Sequence, residues 1–302
     1  MRVVSVLPSA TEIVCALGHG PELVARSAEC DYPPEVQRLP IAMRPRTLDS
    51  ERPSVEIDER VRTARSRGES LYRLDADLLR GVRPDLMLTQ NLCGVCSVTE
   101  EEVHDACAQA GVRPRVVSLA PTNLDEVWAS FATIADALGD APAGHRLREA
   151  TLARSRPRPP TGRSVAVVEW LDPPILAGLW TPDIVRAAGG VPVGTRTGEP
   201  GVRSTWESLS RASPDLVVIS PCSFSVARTV REISENRDLR SALARVAAPL
   251  GMYVADEAYF SRPGPRLADG VALVRSLLEG VSPERPMPVE ALDRDGRVGV
   301  RS

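Results

Sequence analysis

The chain has 302 residues, with 40 acidic and 37 basic side chains, every basic one an arginine, and a formal net charge of −3. Dispersed arginines on a near-neutral chain exclude the basic footprint that nucleic acid binding needs, and no apolar run reaches the roughly 20 residues that span a bilayer. The lack of lysine excludes Schiff-base chemistry on that residue and a lysine-dependent phosphate loop. At 43% apolar and 25% charged the composition is that of a globular protein, long enough for two domains with separate cores.

Arg2-Val-Val-Ser-Val-Leu7 reads as a buried strand broken by Pro8. A secretory leader would place a basic and then an apolar segment ahead of the fold, so this opening predicts a cytoplasmic protein whose six cysteines are mainly thiols. Ser9-Ala-Thr-Glu12 predicts a capping box for a helix that Gly18 closes. Leu23 to Arg26 is a second strand, Ile57 to Arg67 and Asp75 to Arg83 have helical spacing, and Asp85 to Thr89 is a strand. Thr99-Glu-Glu-Glu102 caps a helix to Gly111, and Val116 to Leu119 completes an N-terminal α/β domain over 1–121. The alternation implies parallel strands with crossover helices.

From Asn123 to Arg156 the pattern is helical, with Leu124, Val127, Phe131, Ile134 and Leu138 on one stripe. It predicts a linking helix over 122–157, or two helices if Asp140-Ala-Pro-Ala-Gly144 interrupts it. A second α/β domain over 158–280 follows. It has strands at Val165 to Trp170, Leu216 to Ser220 and Met252 to Ala255, and helices at Asp183 to Ala188, at Thr205 to Ala212, on to Ala248, and at Arg266 to Leu278. Residues 281–302, rich in proline and charge, read as a loose tail. The fold class predicted is α/β, with two Rossmann-like lobes on central parallel sheets joined by one long helix.

The two halves echo each other. Leu79-Arg-Gly-Val-Arg-Pro-Asp-Leu-Met-Leu-Thr89 matches Leu209-Ser-Arg-Ala-Ser-Pro-Asp-Leu-Val-Val-Ile219, each a helix, a Pro-Asp turn and a buried strand. The strands run into Cys93-Gly-Val-Cys96 and Cys222, placing cysteine at carboxyl strand ends, where open α/β sheets bind ligands.

Val3-Val-Ser-Val-Leu-Pro-Ser-Ala-Thr-Glu-Ile13 with Cys15-Ala-Leu-Gly18, Glu29-Cys-Asp-Tyr-Pro-Pro34, the Pro84-Asp-Leu strand and Ala258-Tyr-Phe-Ser-Arg-Pro-Gly-Pro-Arg-Leu267 together resemble the class III periplasmic binding protein family, in its cobalamin-binding-protein-like branch. The resemblance covers roughly residues 2 to 280. It implies two lobes bridged by a rigid helix, with cobalamin or another metal chelate as ligand in the cleft between them. Members of the family hand ligand to an ABC permease outside the cytoplasmic membrane. This chain departs from them in showing no leader, which leaves the permease partner in doubt, and it carries Ala28 where relatives often place a histidine before Glu29.

The ligand-binding residues expected are Ser9, Thr11, Tyr32, Gln90, Trp170, Trp180, Phe224, Tyr259 and Arg262. The aromatics supply apolar walls, and Arg262 can pair with a carboxylate or phosphate. Thiolates and carboxylates at strand ends could instead hold zinc, iron or copper, through Glu29, Cys30, Asp31, Cys93, Cys96, Glu169 and Cys222. Ordinary loop packing of small thiols accounts for the same pattern. Three functional readings remain open: a cytoplasmic chelate-binding protein, an exported uptake receptor whose leader was removed, and a metalloenzyme with a Cys/Glu-liganded centre. Gly-x-Gly-x-x-Gly, Gly-x-Ser-x-Gly and His-Glu-x-x-His signatures are missing.

Overall fold

The computed structural model describes residues 1–46, 51–91, 98–283 and 285–293. These fall into two compact units. Unit 1 holds 1–46, 57–91, 98–121 and 125–151, and unit 2 holds 51–56, 122–124 and the described residues from 152 onward.

The elements of the first half are β1 (Val3–Ser5), α1 (Pro8–Ala16), β2 (Leu23–Ser27), β3 (Ile41–Pro45), α2 (Ser54–Ser66), β4 (Tyr72–Leu74), α3 (Ala76–Val82), β5 (Leu86–Gln90), α4 (Glu100–Ala110), β6 (Arg115–Leu119), α5 (Leu124–Leu138) and α6 (Ala141–Arg154). Six strands form one sheet in the order β4-β3-β2-β1-β5-β6. All neighbours are parallel except the β3–β4 pair. Strand order reverses at β1, so the crevice at its carboxyl end, beside β5, is the position where such sheets take ligands. Val4, Ala25, Met43 and Met87 bury one face of the sheet against Leu79, Val103 and Cys107 of α3 and α4.

The second half contributes β7 (Ser164–Leu171), β8 (Pro174–Leu176), α7 (Thr181–Ala187), β9 (Val191–Pro192), β10 (Val202–Arg203), α8 (Trp206–Ala212), β11 (Leu216–Ile219), α9 (Val226–Glu235), α10 (Arg237–Leu243), β12 (Met252–Ala255), α11 (Leu267–Glu279) and β13 (Val289–Leu292). Its sheet runs β10-β8-β7-β11-β12-β13, with β9 alongside β7. β7, β11 and β12 are parallel, while β8, β10 and β13 are antiparallel additions. This is the mixed α/β class expected.

Local differences from the sequence reading have physical reasons. Helix α1 begins at Pro8 after an N-cap at Leu7, so Ser9 lies within the first turn and the expected capping box does not form. The Thr99 box does form, its side chain accepting from Glu102 N while Glu102 accepts from Thr99 N. The linking stretch is two helices, broken at Gly139, whose φ of 79° an L side chain resists. Gly144 then lets α6 lie against α5, because a Cβ there would sit 2.7 Å from Ala135 Cβ. β13, paired with β12, lies inside the stretch expected to be a loose tail.

The sequence echo is a shared strand entry. Arg83 and Ser213 end α3 and α8 in the left-handed conformation, at φ 43° and 45°. The proline that follows turns the chain into the strand. Asp85 then accepts from Arg2 N at 2.7 Å, and Asp215 accepts from Ser164 N, also at 2.7 Å. Each Pro-Asp carboxylate thus fastens the start of its sheet's first strand. The amide and hydroxyl of Ser164 hold the Asp215 carboxyl below its ordinary pKa.

Candidate functional site

In unit 1 the polar groups beside the carboxyl ends of β1 and β2 bond to one another. Thr11 donates to Ser5 Oγ at 2.8 Å and lies 3.1 Å from Cys30 Sγ; Ser5 in turn donates to the carbonyl of Leu7. Thr11 and Cys30 are both fully buried, so they secure the β1–α1 turn to the loop after β2. That loop, carrying Glu29, Asp31 and Tyr32, is clasped by Arg26, which is buried in β2. Its guanidinium donates to the carbonyls of Ser27, Ala28 and Gln37 at 2.9, 3.2 and 3.0 Å, and Gln37 donates to the carbonyl of Asp31. Tyr32 stands 45% exposed on the clasped loop. Ser9 is buried on α1, its Oγ lacking a hydrogen-bond partner among the described residues. Gln90, also buried, ends β5 opposite Leu119.

In unit 2 the carboxyl ends of β7, β11 and β12 carry the aromatic candidates. Trp170, half-buried near the end of β7, packs on Phe224 with ring centroids 5.2 Å apart at 46°. The Arg228 guanidinium lies 4.3 Å over the other partner, the Phe224 ring. The indole N–H of Trp170 is buried and has no hydrogen-bond partner among the described residues. Glu169 precedes it, its carbonyl accepting from Cys222 N at 3.1 Å, and a Cβ at Gly201 would fall 2.1 Å from its Oε1, so glycine there makes room for the carboxylate. Cys222 itself is a half-buried thiol.

Trp180 and Arg262 have other duties. The Trp180 ring is buried and its N–H donates to the carbonyl of Phe260 at 2.6 Å, which makes it core. Arg262 pairs with Glu257 through Nε at 3.0 Å and Nη2 at 2.6 Å, both side chains 11% exposed. Glu257 accepts from Ser223 N at 2.6 Å with its other oxygen, so the pair braces the loop after β11 against the loop after β12. Tyr259 is buried on that second loop, where Gly270 of α11 fits tightly under its carbonyl.

The cysteine centre does not assemble among the described residues, where no group of three His, Cys, Asp or Glu side chains could hold a metal ion. Cys93 and Cys96 lie outside those residues. The Cys15 and Cys107 thiols are held above their ordinary pKa chiefly by burial, Cys15 at about 11. Arg26, Arg228 and Glu257 were missed by the sequence reading. For Glu257 the signal was a carboxylate five residues before Arg262 on one loop; Arg26, a charge inside a strand, gave none.

Neither the family models nor the curated proteins compared with the sequence match it. Solved structures do. A periplasmic heme-binding protein from Pseudomonas aeruginosa aligns over 100% of this chain and 99% of its own, at 19% identity and TM-score 0.69. The periplasmic heme-binding protein RhuT from Roseiflexus sp. RS-1 aligns over 93% and 99%, at 21% and 0.63. The periplasmic vitamin B12 binding protein BtuF of Vibrio cholerae aligns over 92% and 96%, at 20% and 0.59. The chain therefore has a bilobal α/β binding-protein fold. In particular, that fold is the one shared by the class III periplasmic binding proteins, as the sequence resemblance implied.

The same matches overturn the expectation of a cytoplasmic protein, because the structures that share the fold are of periplasmic proteins. Val3–Ser5 is the central strand of its sheet. Its burial reports how the fold opens and carries no information about compartment.

Proposed function

We propose that this protein is a solute-binding protein for a flat metal chelate of the corrin or porphyrin class, taken against the Trp170–Phe224 wall, and that it works outside the cytoplasm as the receptor of an uptake permease. One observation carries the reading: a half-buried indole packed at 46° against a phenyl ring at the carboxyl edge of a parallel sheet, its buried N–H without a hydrogen-bond partner among the described residues. A buried donor without an acceptor costs about 1–3 kcal/mol. A chelate would cover the exposed part of the ring face, and a rim amide or carboxylate oxygen that reaches the N–H as the side chains over it shift would recover that cost. Support of a different kind comes from the similar structures, which are of heme- and vitamin B12-binding proteins.

The test is titration of the purified full chain with cyanocobalamin and with hemin, followed by ligand absorption and tryptophan emission. Saturable binding of one of them is expected, weakened about 30-fold by Trp170→Ala, the loss typical of a central aromatic anchor. Uptake of neither probe, or binding indifferent to Trp170, would overturn the reading.

A further inference from the structure

Behind the aromatic wall lies a buried ion pair. On α9, Arg228 and Glu232 are neighbours at i,i+4, the usual arrangement of an exposed helix face, yet their side chains are only 8% and 6% exposed. Arg228 Nη2 is 2.8 Å from Glu232 Oε2 and also donates to the carbonyl of Arg52. Glu232 Oε1 accepts from Ser54 N at 2.8 Å and from the Ser54 hydroxyl. Ser54 is the first residue of α2. A carboxylate 178 residues further along the chain thus meets the electropositive end of α2.

Two well-packed apolar side chains would hold α9 at least as firmly as this pair, because desolvation consumes most of the Coulombic gain. What the ions add is direction. The guanidinium has one face on Phe224 and its edge on Glu232 and Arg52, so displacing the ring displaces the groups that seat the start of α2.

We propose that Arg228 is a positioning residue that couples the Trp170–Phe224 wall to segment 51–56, so that a chelate seated on the wall tightens the first turn of α2. The ligand half of this inference rests on the function proposed above; the link between Phe224 and Ser54 does not. Coupling of this kind is reciprocal. Disturbing Ser54 therefore weakens chelate binding, by at most the factor with which the chelate favours the ordered state of 51–56.

Hydrogen exchange over residues 51–56 of the full chain tests it, with strand β11 as the internal reference for global stability. In ligand-free protein, Phe224→Leu keeps the ion pair but removes the ring beneath it. Exchange over 51–56 is expected to rise about threefold or more relative to β11. Unchanged exchange overturns the proposal. In wild-type protein, whichever of cyanocobalamin or hemin binds should slow exchange over 51–56 by a similar factor, and Ser54→Ala should weaken that probe correspondingly. Binding without either effect overturns the coupling and leaves the proposed function standing. If neither probe binds, the proposed function fails and the ligand-free comparison decides the link.

Discussion

The two units enter their sheets in the same way and leave them differently. At the entries, Asp85 and Asp215 repeat one device, a helix ending in a left-handed residue, a proline, and an aspartate that fastens the first strand. At the exits, unit 1 ties its loops with polar groups, Ser5 with Thr11 and Arg26 with three carbonyls, leaving Ser9 Oγ and Arg26 Nε without a partner among the described residues. Unit 2 sets an aromatic pair beside a braced loop. Backbone topology fixes where a site can lie on such a sheet, whereas the side chains at the exits decide whether it is spent on folding or left for a ligand.

Glu257 gives the hardest test of this contrast. Glu257→Leu leaves the Arg262 guanidinium and Ser223 N–H without their carboxylate in a nearly buried setting, and should destabilise unit 2 by about 3 kcal/mol in urea titration. Because Ser223 adjoins Phe224, Trp170 emission should shift as well. A variant that unfolds earlier yet keeps its emission would show the brace and the wall to be independent. Arg26→Met is the counterpart in unit 1. It strands three loop carbonyls and should lower stability by about 2 kcal/mol, while leaving Trp170 emission untouched. A changed emission there would erase the distinction between the exits.

What the sequence made legible follows periodicity and local chemistry. Parallel strands, the Thr99 cap and the Pro-Asp entries are written in near neighbours, and each is present. The added strands β4, β8 and β10 are too short for alternation to register, at two or three residues. At the site, Trp170 and Phe224 could be placed by their strand ends, but their contact could not, since nothing in spacing sets two loops face to face. Trp180 looked equivalent to Trp170 and differs only because a carbonyl 80 residues away takes its N–H. The Arg228–Glu232 spacing reads as surface, and burial came from Phe224, just ahead of the α9 cap, and from Ser54, 178 residues away from Glu232.

The smallest predicted effect concerns unit 1 away from either exit. His19, just after α1, contacts Glu22 through Nδ1 at 2.9 Å and Asp140 through Nε2 at 3.2 Å. Asp140 also accepts from Ala143 N at the start of α6, so the imidazole joins the end of α1 to the break between α5 and α6. The hydrogen bond to Glu22, then that to Asp140, outweigh partial burial and raise the His19 pKa above its ordinary 6.5. A raised pKa means that the folded state holds the proton more tightly than the unfolded chain. The stabilisation is therefore complete below pH 6.5 and disappears as pH rises through the higher folded value. Asp140 has the opposite sign. Bonded first to His19, its carboxyl lies below the ordinary 3.8, so its contribution holds above that pH and is lost on acidification through the folded value. Urea midpoints of wild type and His19→Gln, compared from pH 5 to 9, should therefore converge as pH rises, wild type being the more stable at the acidic end. A constant gap between them would mean that His19 acts by packing and that its protonation contributes nothing.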